Sequence, residues 1–375
     1  MDAMSVWSGL DPAGAAFAFV ITFLALALLH PLAGRLKLLD HPGGRKDHAQ
    51  PTPVTGGLAI LAGCLMTFTV GQFSSSSLQA FTAAALLLAV VGVWDDLRDV
   101  RWYWRILAQA VAALILAYWG GVRVEQVGPV FGLGHMSLGW LSVPFTVFAT
   151  IGLINAMNMI DGADGLAGLL GLTAMALFAG AAVYAGNLML AARLSVLCGA
   201  LAAFLAWNVR LPWRPHARVF LGNAGSALLG LLIAWTAFRL TQNPGHPVNP
   251  VLALWVLPIP VMDCLVLIAR RLQQGRSPFS AGHDHIHHLM QDAGFGPTRA
   301  AVLLALFSVF TGAAAGQAMR LDVPNPVLLL AYVALCVGWY WLTRDHARAV
   351  AFFRRLRGGS AAAVPAAAIA PKRHL

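Results

Sequence analysis

The sequence predicts an all-α polytopic membrane protein, and three observations carry that prediction. Hydrophobic residues make up 59% of the 375-residue chain and charged residues only 11%, whereas a soluble domain carries about 25% charged residues. Apolar stretches approaching the ~20 residues needed to cross a bilayer recur about eleven times, centred near positions 23, 64, 86, 113, 149, 175, 198, 231, 259, 308 and 334. With the amino terminus placed outside, 21 of the 25 Lys and Arg residues fall in alternate loops and the carboxy-terminal tail. Only Arg123, Arg193, Arg239 and Arg320 remain on the other side. The positive-inside rule then orients the chain amino terminus out, carboxy terminus in.

The elements follow in order. The first apolar run, 13–33, is too long for a signal-peptide core and no small-residue cleavage site follows it, so it reads as a retained span. The outside loops, such as QFSSSS (72–77) and TQNPGHPVN (241–249), are short and poor in ionisable groups. Residues 1–357 read as one transmembrane domain, and 358–375 as a disordered Ala/Pro-rich tail. The net charge of +10 matches an anionic inner leaflet rather than a nucleic-acid partner. The four cysteines are scattered singly with no Cys-x-x-Cys pair, which argues against a disulfide framework or cysteine metal site.

The chemistry sits in the inside loops. DHPGGRKDHAQPTPVTGG (40–57) combines Lys46 and His48 with a Pro/Gly-rich turn. It reads either as a positive-inside loop or as a phosphate-contacting one. In WDDLRD (94–99), Asp95 and Asp96 close an apolar span and Asp99 follows; on a helix Asp96 and Asp99 share a face. Acids crowded this near a membrane repel one another unless a proton or cation intervenes. A hard cation held by one or two carboxylates and substrate phosphates suits them, with a solvated loop paired to Arg98 and Arg101 as the alternative.

In INAMNMIDGADGLAGL (154–169), Asn155, Asn158, Asp161 and Asp164 recur every third residue between two spans, interrupted by glycines. Side chains that compete with helix at this spacing can converge on a ligand. RSPFSAGHDHIHHLMQDAGFG (276–296) carries His283, His285, His287 and His288, read as phosphate donors or acid–base groups, with zinc as an alternative. Asp263 lies within the ninth span, where a carboxylate is a functional candidate by default. FLGNAGS (220–226) sets Asn223 between glycines at the inner start of the eighth span.

These segments, together and in order from Asp40 to Gly296, resemble the polyprenyl-phosphate N-acetylhexosamine-1-phosphate transferases (glycosyltransferase family 4). The resemblance implies attack of undecaprenyl phosphate on a UDP-N-acetylhexosamine, such as UDP-GlcNAc, at the cytoplasmic face of the bacterial inner membrane. UMP leaves, and the lipid-linked product starts a surface polysaccharide. It implies Mg²⁺, with Mn²⁺ as a substitute, a surrounding of membrane lipid, and compatibility with a homodimer. By the same resemblance Asp95, Asp96, Asp161, Asp164, His285, His287 and His288 are catalytic, with Asp95 the acid that deprotonates or orients the lipid phosphate. Lys46, His48, Asn155, Asn158, Asn208, Arg218, Phe220, Asp263 and Arg276 contact substrate, Phe220 by stacking on uracil. Asp95, Asp96 and Asn223 take the metal.

Two departures stand out. The family turn reads Phe-x-Gly-Asp-x-Gly-Ser, with the aspartate a metal ligand, but this chain has Asn223; its carboxamide oxygen can coordinate without bringing charge. Relatives read Pro-Asp-Arg-x-His where this chain reads Ala281-Gly282-His283-Asp284-His285. Compensation by Asp284, a different donor sugar and an impaired enzyme are the readings these changes allow. A membrane transporter is the alternative from another class, but it predicts ionisable residues along a transmembrane path, and Asp263 stands almost alone within the spans. A CDP-alcohol phosphotransferase requires an arginine soon after its Asp-Gly, absent after Asp161-Gly162.

Overall fold

A computed structural model describes residues 9–42, 50–130, 132, 134, 136–242, 248–277 and 282–358. Lys46, His48 and the tail beyond 358 lie outside the described residues. The chain is helical almost throughout. Its helices are α1 (Pro12–Leu32), α2 (Gly56–Val70), α3 (Ser76–Arg98), α4 (Trp102–Leu114), α5 (Ser142–Ile160), α6 (Leu166–Tyr184) and α7 (Leu188–Asn208). They continue with α8 (Gly222–Thr241), α9 (Pro250–Val256), α10 (Pro258–Gln273), α11 (Ile286–Asp292), α12 (Pro297–Arg320), α13 (Asn325–Thr343) and α14 (His346–Leu356). The described strands are β1 (Leu39–Asp40) and β2 (Thr52–Pro53), an antiparallel pair that flanks in sequence the segment containing Lys46 and His48.

Every one of the eleven sequence centres falls in a helix. Among the described residues, eight helices are long and apolar enough to cross a membrane, or nine if the α9–α10 pair, bent by 88°, counts as one span. The shortfall from eleven is one of length: α2 has 15 residues and α4 has 13, the latter prolonged by a π turn over Ile115–Trp119. Side chains start several helices. Asp11 caps α1, Ser75 caps α3, Asn187 caps α7 and Asn249 caps α9, each accepting from a backbone N–H in the first turn.

Helix α8 is the axis of the bundle and is buried along nearly its whole length. Helices α2, α3, α5 and α6 pack around it, α1 lies on α2 and α7, and α12 lies on α6. Lipid tails are as apolar as leucine, so close backbone approach through small residues is what holds such helices together. A Cβ on Gly57 would collide with the backbone of Gly225, one on Gly92 with Ala224, and one on Gly230 with Ile154. These contacts bring α2, α3 and α5 hard against α8, and the first two set the polar end of the bundle.

Candidate functional site

The polar end is organised by the start of α8. Gly222 adopts φ +76°, and a side chain there would strike the Val54 carbonyl at 2.8 Å and Asp96 Oδ2 at 2.9 Å. The Phe220 and Leu221 carbonyls accept from Gly56 and Gly57 N–H at 3.0 and 2.9 Å, and Phe220 N–H donates to Pro53 O at 2.7 Å. Glycine is therefore required at Gly222 by both dihedral and space.

Asp95 and Asp96 diverge sharply. The helix ends at Arg98, with Asp99 in the left-handed region (φ 51°), so Asp99 does not continue the face expected of a helix. Asp95 is buried; its Oδ1 accepts from Val100 N–H at 2.8 Å and its Oδ2 pairs with Arg105 at 3.0 Å. Both oxygens of Asp95 are engaged in holding the α3–α4 turn. Asp96 accepts from Asn223 N–H at 3.1 Å through Oδ1, while its buried Oδ2 has no hydrogen-bond partner among the described residues. A buried carboxylate oxygen without a donor is costly, so this oxygen has acceptor capacity that the described residues do not use.

The α5–α6 turn supplies the next groups. Asn158 Nδ2 donates to Asn223 Oδ1 at 3.2 Å and to Ser226 Oγ at 2.9 Å. Asn155 Nδ2 donates to Gln109 Oε1 at 2.7 Å and back to Ile151 O at 2.8 Å. Asp164 pairs with Arg210 at 2.6 Å and accepts from Ala217 N–H at 3.2 Å. Asn208 Oδ1 accepts from Gly165 N–H (φ 83°) at 2.7 Å, and its amide donates to Val219 O at 2.8 Å, tying the turn to the segment before α8. Burial first, then the charges of Asp164 and Asp96, pushes the Asp161 carboxyl up to about 7.

The histidines form a shelf beside this turn. Asp263 Oδ2 meets His285 Nδ1 at 2.8 Å, and Asp263 Oδ1 accepts from Ile286 N–H and Trp339 Nε1, each at 3.3 Å. The His285 and His287 rings stack at 5.7 Å, His287 and His288 lie 4.1 Å apart, and His283 lies 4.7 Å from His288. His287 is fully buried with neither ring nitrogen hydrogen-bonded among the described residues. Its Nε2 lies 2.5 Å from where a Cβ on Gly162 would be. Burial, then His288, His285 and His283, holds His287 well below its ordinary value, so the ring is neutral. Helix α14 packs under α11 and α13, with His346 bonded to Asp292 at 3.0 Å.

Two hollows adjoin the cluster. A small cleft of about 30 Å³ is bordered by Asp95, Arg105, Gln109, Asn155, Asn158 and Asn223, with room for a water or two. A larger cavity of about 640 Å³ is lined by residues including Asp164, Trp207, Arg210, Arg218 and Phe220. The Arg218 guanidinium stands 5.8 Å from the Trp207 ring centre. Arg276 is exposed just beyond α10 and reaches Gln274 at 3.4 Å rather than the cluster. Gln109, Ser226, Arg105 and Arg210 belong to the site, and the motifs alone did not single them out. The isolated polar Gln109 in the otherwise apolar run of α4 was the one readable signal.

The residues present fit a hard divalent cation. Asp96 Oδ2 lacks a donor, Asn223 presents a carbonyl oxygen, and Asp161 is near enough for its charge to couple to Asp96. No group of three His, Cys, Asp or Glu side chains forms a ready-made metal cage among the described residues. A few oxygens completed by substrate phosphates and water is how Mg²⁺ is usually held, not zinc.

Fold and site together define a multi-pass helical membrane protein with a cluster of carboxylates, carboxamides and imidazoles at one end of the bundle. The model of glycosyl transferase family 4 matches residues 78–241. The chain is 33% identical over 350 residues to the undecaprenyl-phosphate alpha-N-acetylglucosaminyl 1-phosphate transferase of Escherichia coli O157:H7, covering 91% of this chain and 95% of that protein. It is 36% identical over 293 residues to the protein so named in Haemophilus influenzae (77% and 82% covered). The Yersinia pestis protein of that name is 32% identical over 342 residues (91% and 93%). The chain belongs to glycosyl transferase family 4, among its membrane phosphoglycosyl transferases.

Proposed function

We propose that this protein transfers GlcNAc-1-phosphate from UDP-GlcNAc to undecaprenyl phosphate, releasing UMP. The reaction takes place on the cytoplasmic face of a bacterial inner membrane, with eleven spans and the amino terminus outside. Relatives matched over nearly their whole length carry that activity in their names. The loop charge asymmetry supports the orientation. The observation that carries the site assignment is the unpartnered Asp96 Oδ2 facing the Gly222-Asn223 turn.

Phosphoryl transfer needs little covalent help from protein; it needs positioning and cancellation of charge. Asp96, Asp161 and Asn223 would hold Mg²⁺, or Mn²⁺ in its place, and the bound ion would neutralise charge on the diphosphate. Phe220, with Arg218 and Arg210 about the large cavity, takes the uridine side of the donor. His285, oriented by Asp263, and His288 offer ring nitrogens to the diphosphate. Asp95 acts through the backbone turn it holds and through Arg105, whose cation faces the same cleft, so it positions Asp96 rather than taking a proton. Lys46 and His48, between β1 and β2 in sequence, contact phosphate.

Membranes containing the protein, incubated with labelled UDP-GlcNAc, undecaprenyl phosphate and Mg²⁺, should yield a lipid-linked label and free UMP. Absence of lipid-linked label across UDP-GlcNAc and other UDP-N-acetylhexosamines would sink the assignment.

A further inference from the structure

The end of the bundle opposite the aspartates holds two arginines that nothing described there neutralises. Arg193, in the second turn of α7, is 1% exposed. Arg239, in the last turn of α8, is half-buried. The Nε–H of each is buried without a hydrogen-bond partner, and the hydrogen bond recorded for Arg193 runs to the Met189 sulfur at 3.2 Å, a weak acceptor. Among the described residues no carboxylate lies within ion-pair distance of either. The two are close enough that the charge of Arg239 acts on Arg193.

Their meeting point follows from helix register. Gly225 of α8 touches Gly57 of α2, and Phe204 of α7 touches Gly56. Arg239 is 14 residues beyond Gly225 and Arg193 is 11 before Phe204, about four and three turns, so each returns to within about 40° of the face that meets α2. Helix α2, packed against both partners, ends at Val70. Its 15 residues span about 22 Å, short of the ~30 Å apolar thickness of a bilayer. By the helical rise Arg239 therefore stands level with the end of α2 and Arg193 level with its last turn.

Blander accounts fail for the pair. The partial negative charge at a helix carboxy terminus favours Arg239 at the end of α8, but the amino-terminal end of α7 opposes a cation at Arg193. Arg193 does not snorkel to water, being buried. Cations at this depth ordinarily face the bundle interior and pair with something. Two planar donor forks near the end of a short helix, each with an unused Nε–H, match a tetrahedral phosphate, which each can grip bidentately and which would cancel their repulsion.

We propose that Arg193 and Arg239 form a phosphate-binding site at the end of the bundle remote from the aspartate cluster, taking the phosphate of a lipid headgroup. The test uses the full chain purified in detergent, with its melting midpoint followed as dioleoyl phosphatidylglycerol or inorganic phosphate is added. Phosphatidylglycerol should raise the midpoint of the native protein by about 2–5 °C, and Arg193→Met/Arg239→Met should lose most of that gain. In lipid-free detergent the double variant should melt no lower than the native chain, because replacing unpaired buried cations by apolar side chains is neutral or stabilising. Should the double variant fail to fold, Arg239→Gln alone should at least halve the gain. An equal rise with inorganic phosphate would confirm the site and assign it to free phosphate rather than lipid. No rise with either probe, or a rise undiminished in the variants, would overturn the proposal. So would coupling between Arg193→Met and Asp2→Asn in lipid-free detergent, which would show that the chain's own amino-terminal carboxylate answers the charge.

Discussion

The aspartate junction and the histidine shelf adjoin each other yet are built by opposite means. At the junction, backbone does the positioning: Gly57, Gly92 and Gly222 let α2, α3 and α8 close up, and the start of α8 hydrogen-bonds to β2 and α2 through main-chain groups. Asp96 is left with an oxygen that no described residue satisfies. At the shelf, side chains do the positioning: both oxygens of Asp263 are taken by His285, Ile286 and Trp339. A carboxylate with an open oxygen waits for a ligand, while one with every oxygen filled orients its neighbour. The same contrast separates Asp95 from Asp96 one residue apart.

The largest expected effect tests that distinction at its sharpest. Asp96→Asn should lower the transfer rate by about 10²–10³-fold, the scale of losing one preorganised charge-stabilising group, with little change in melting. Asp95→Asn should lower activity together with stability, by about 1–3 kcal/mol, since the one remaining oxygen can serve Val100 N–H or Arg105 but not both and the charge that pairs with Arg105 is lost. Denaturation in detergent alongside the rate assay separates the two; equal stability losses would erase the comparison. Gly57→Ala should cost about 1–3 kcal/mol by overpacking against Gly225 and reduce activity without touching any polar group.

At the shelf, Asp263→Asn should lower kcat by about tenfold or more, because His285 loses the carboxylate that orients its ring. Trp339→Phe removes one of the bonds to Asp263 and should have a smaller effect of the same kind. Asn223→Asp should shift the Mg²⁺ titration to lower concentration. The carboxylate can still accept from Asn158, so the fold should tolerate it; an unmoved titration would remove Asn223 from the metal site.

The smallest effect is one of pH. Because Asp161 is raised to about 7, it gains its charge only as pH climbs through that value. Divalent-cation affinity should therefore increase between about pH 6 and 8 and flatten above. The linkage to folding has the opposite sign: protonated Asp161 favours the folded state, so in metal-free buffer its contribution is full below the unfolded carboxyl pKa and lost as pH rises through 7. Asp161→Asn should weaken both trends, read by Mg²⁺ titration and by melting.

Much of this molecule was legible before any coordinates. Composition and hydropathy placed a helix at each of eleven centres, since a span announces itself by what lipid demands of every residue along it. The ordered motifs located Asp96, Asn158, Asp161, Asn223 and the histidines. What the sequence left open was which of those groups are free to bind. WDDLRD reads alike at Asp95 and Asp96, and only the turn at Asp99, with Val100 and Arg105 folding back, occupies the first and spares the second. Gln109 showed only as a lone polar residue in an apolar helix and Ser226 only as the end of the FLGNAGS turn, because the partner of each lies on another helix. Spacing along the chain decides which residues can share an end of the bundle. Hydrogen-bond saturation depends on distances between helices, and those were decided by where glycine lets the backbones meet.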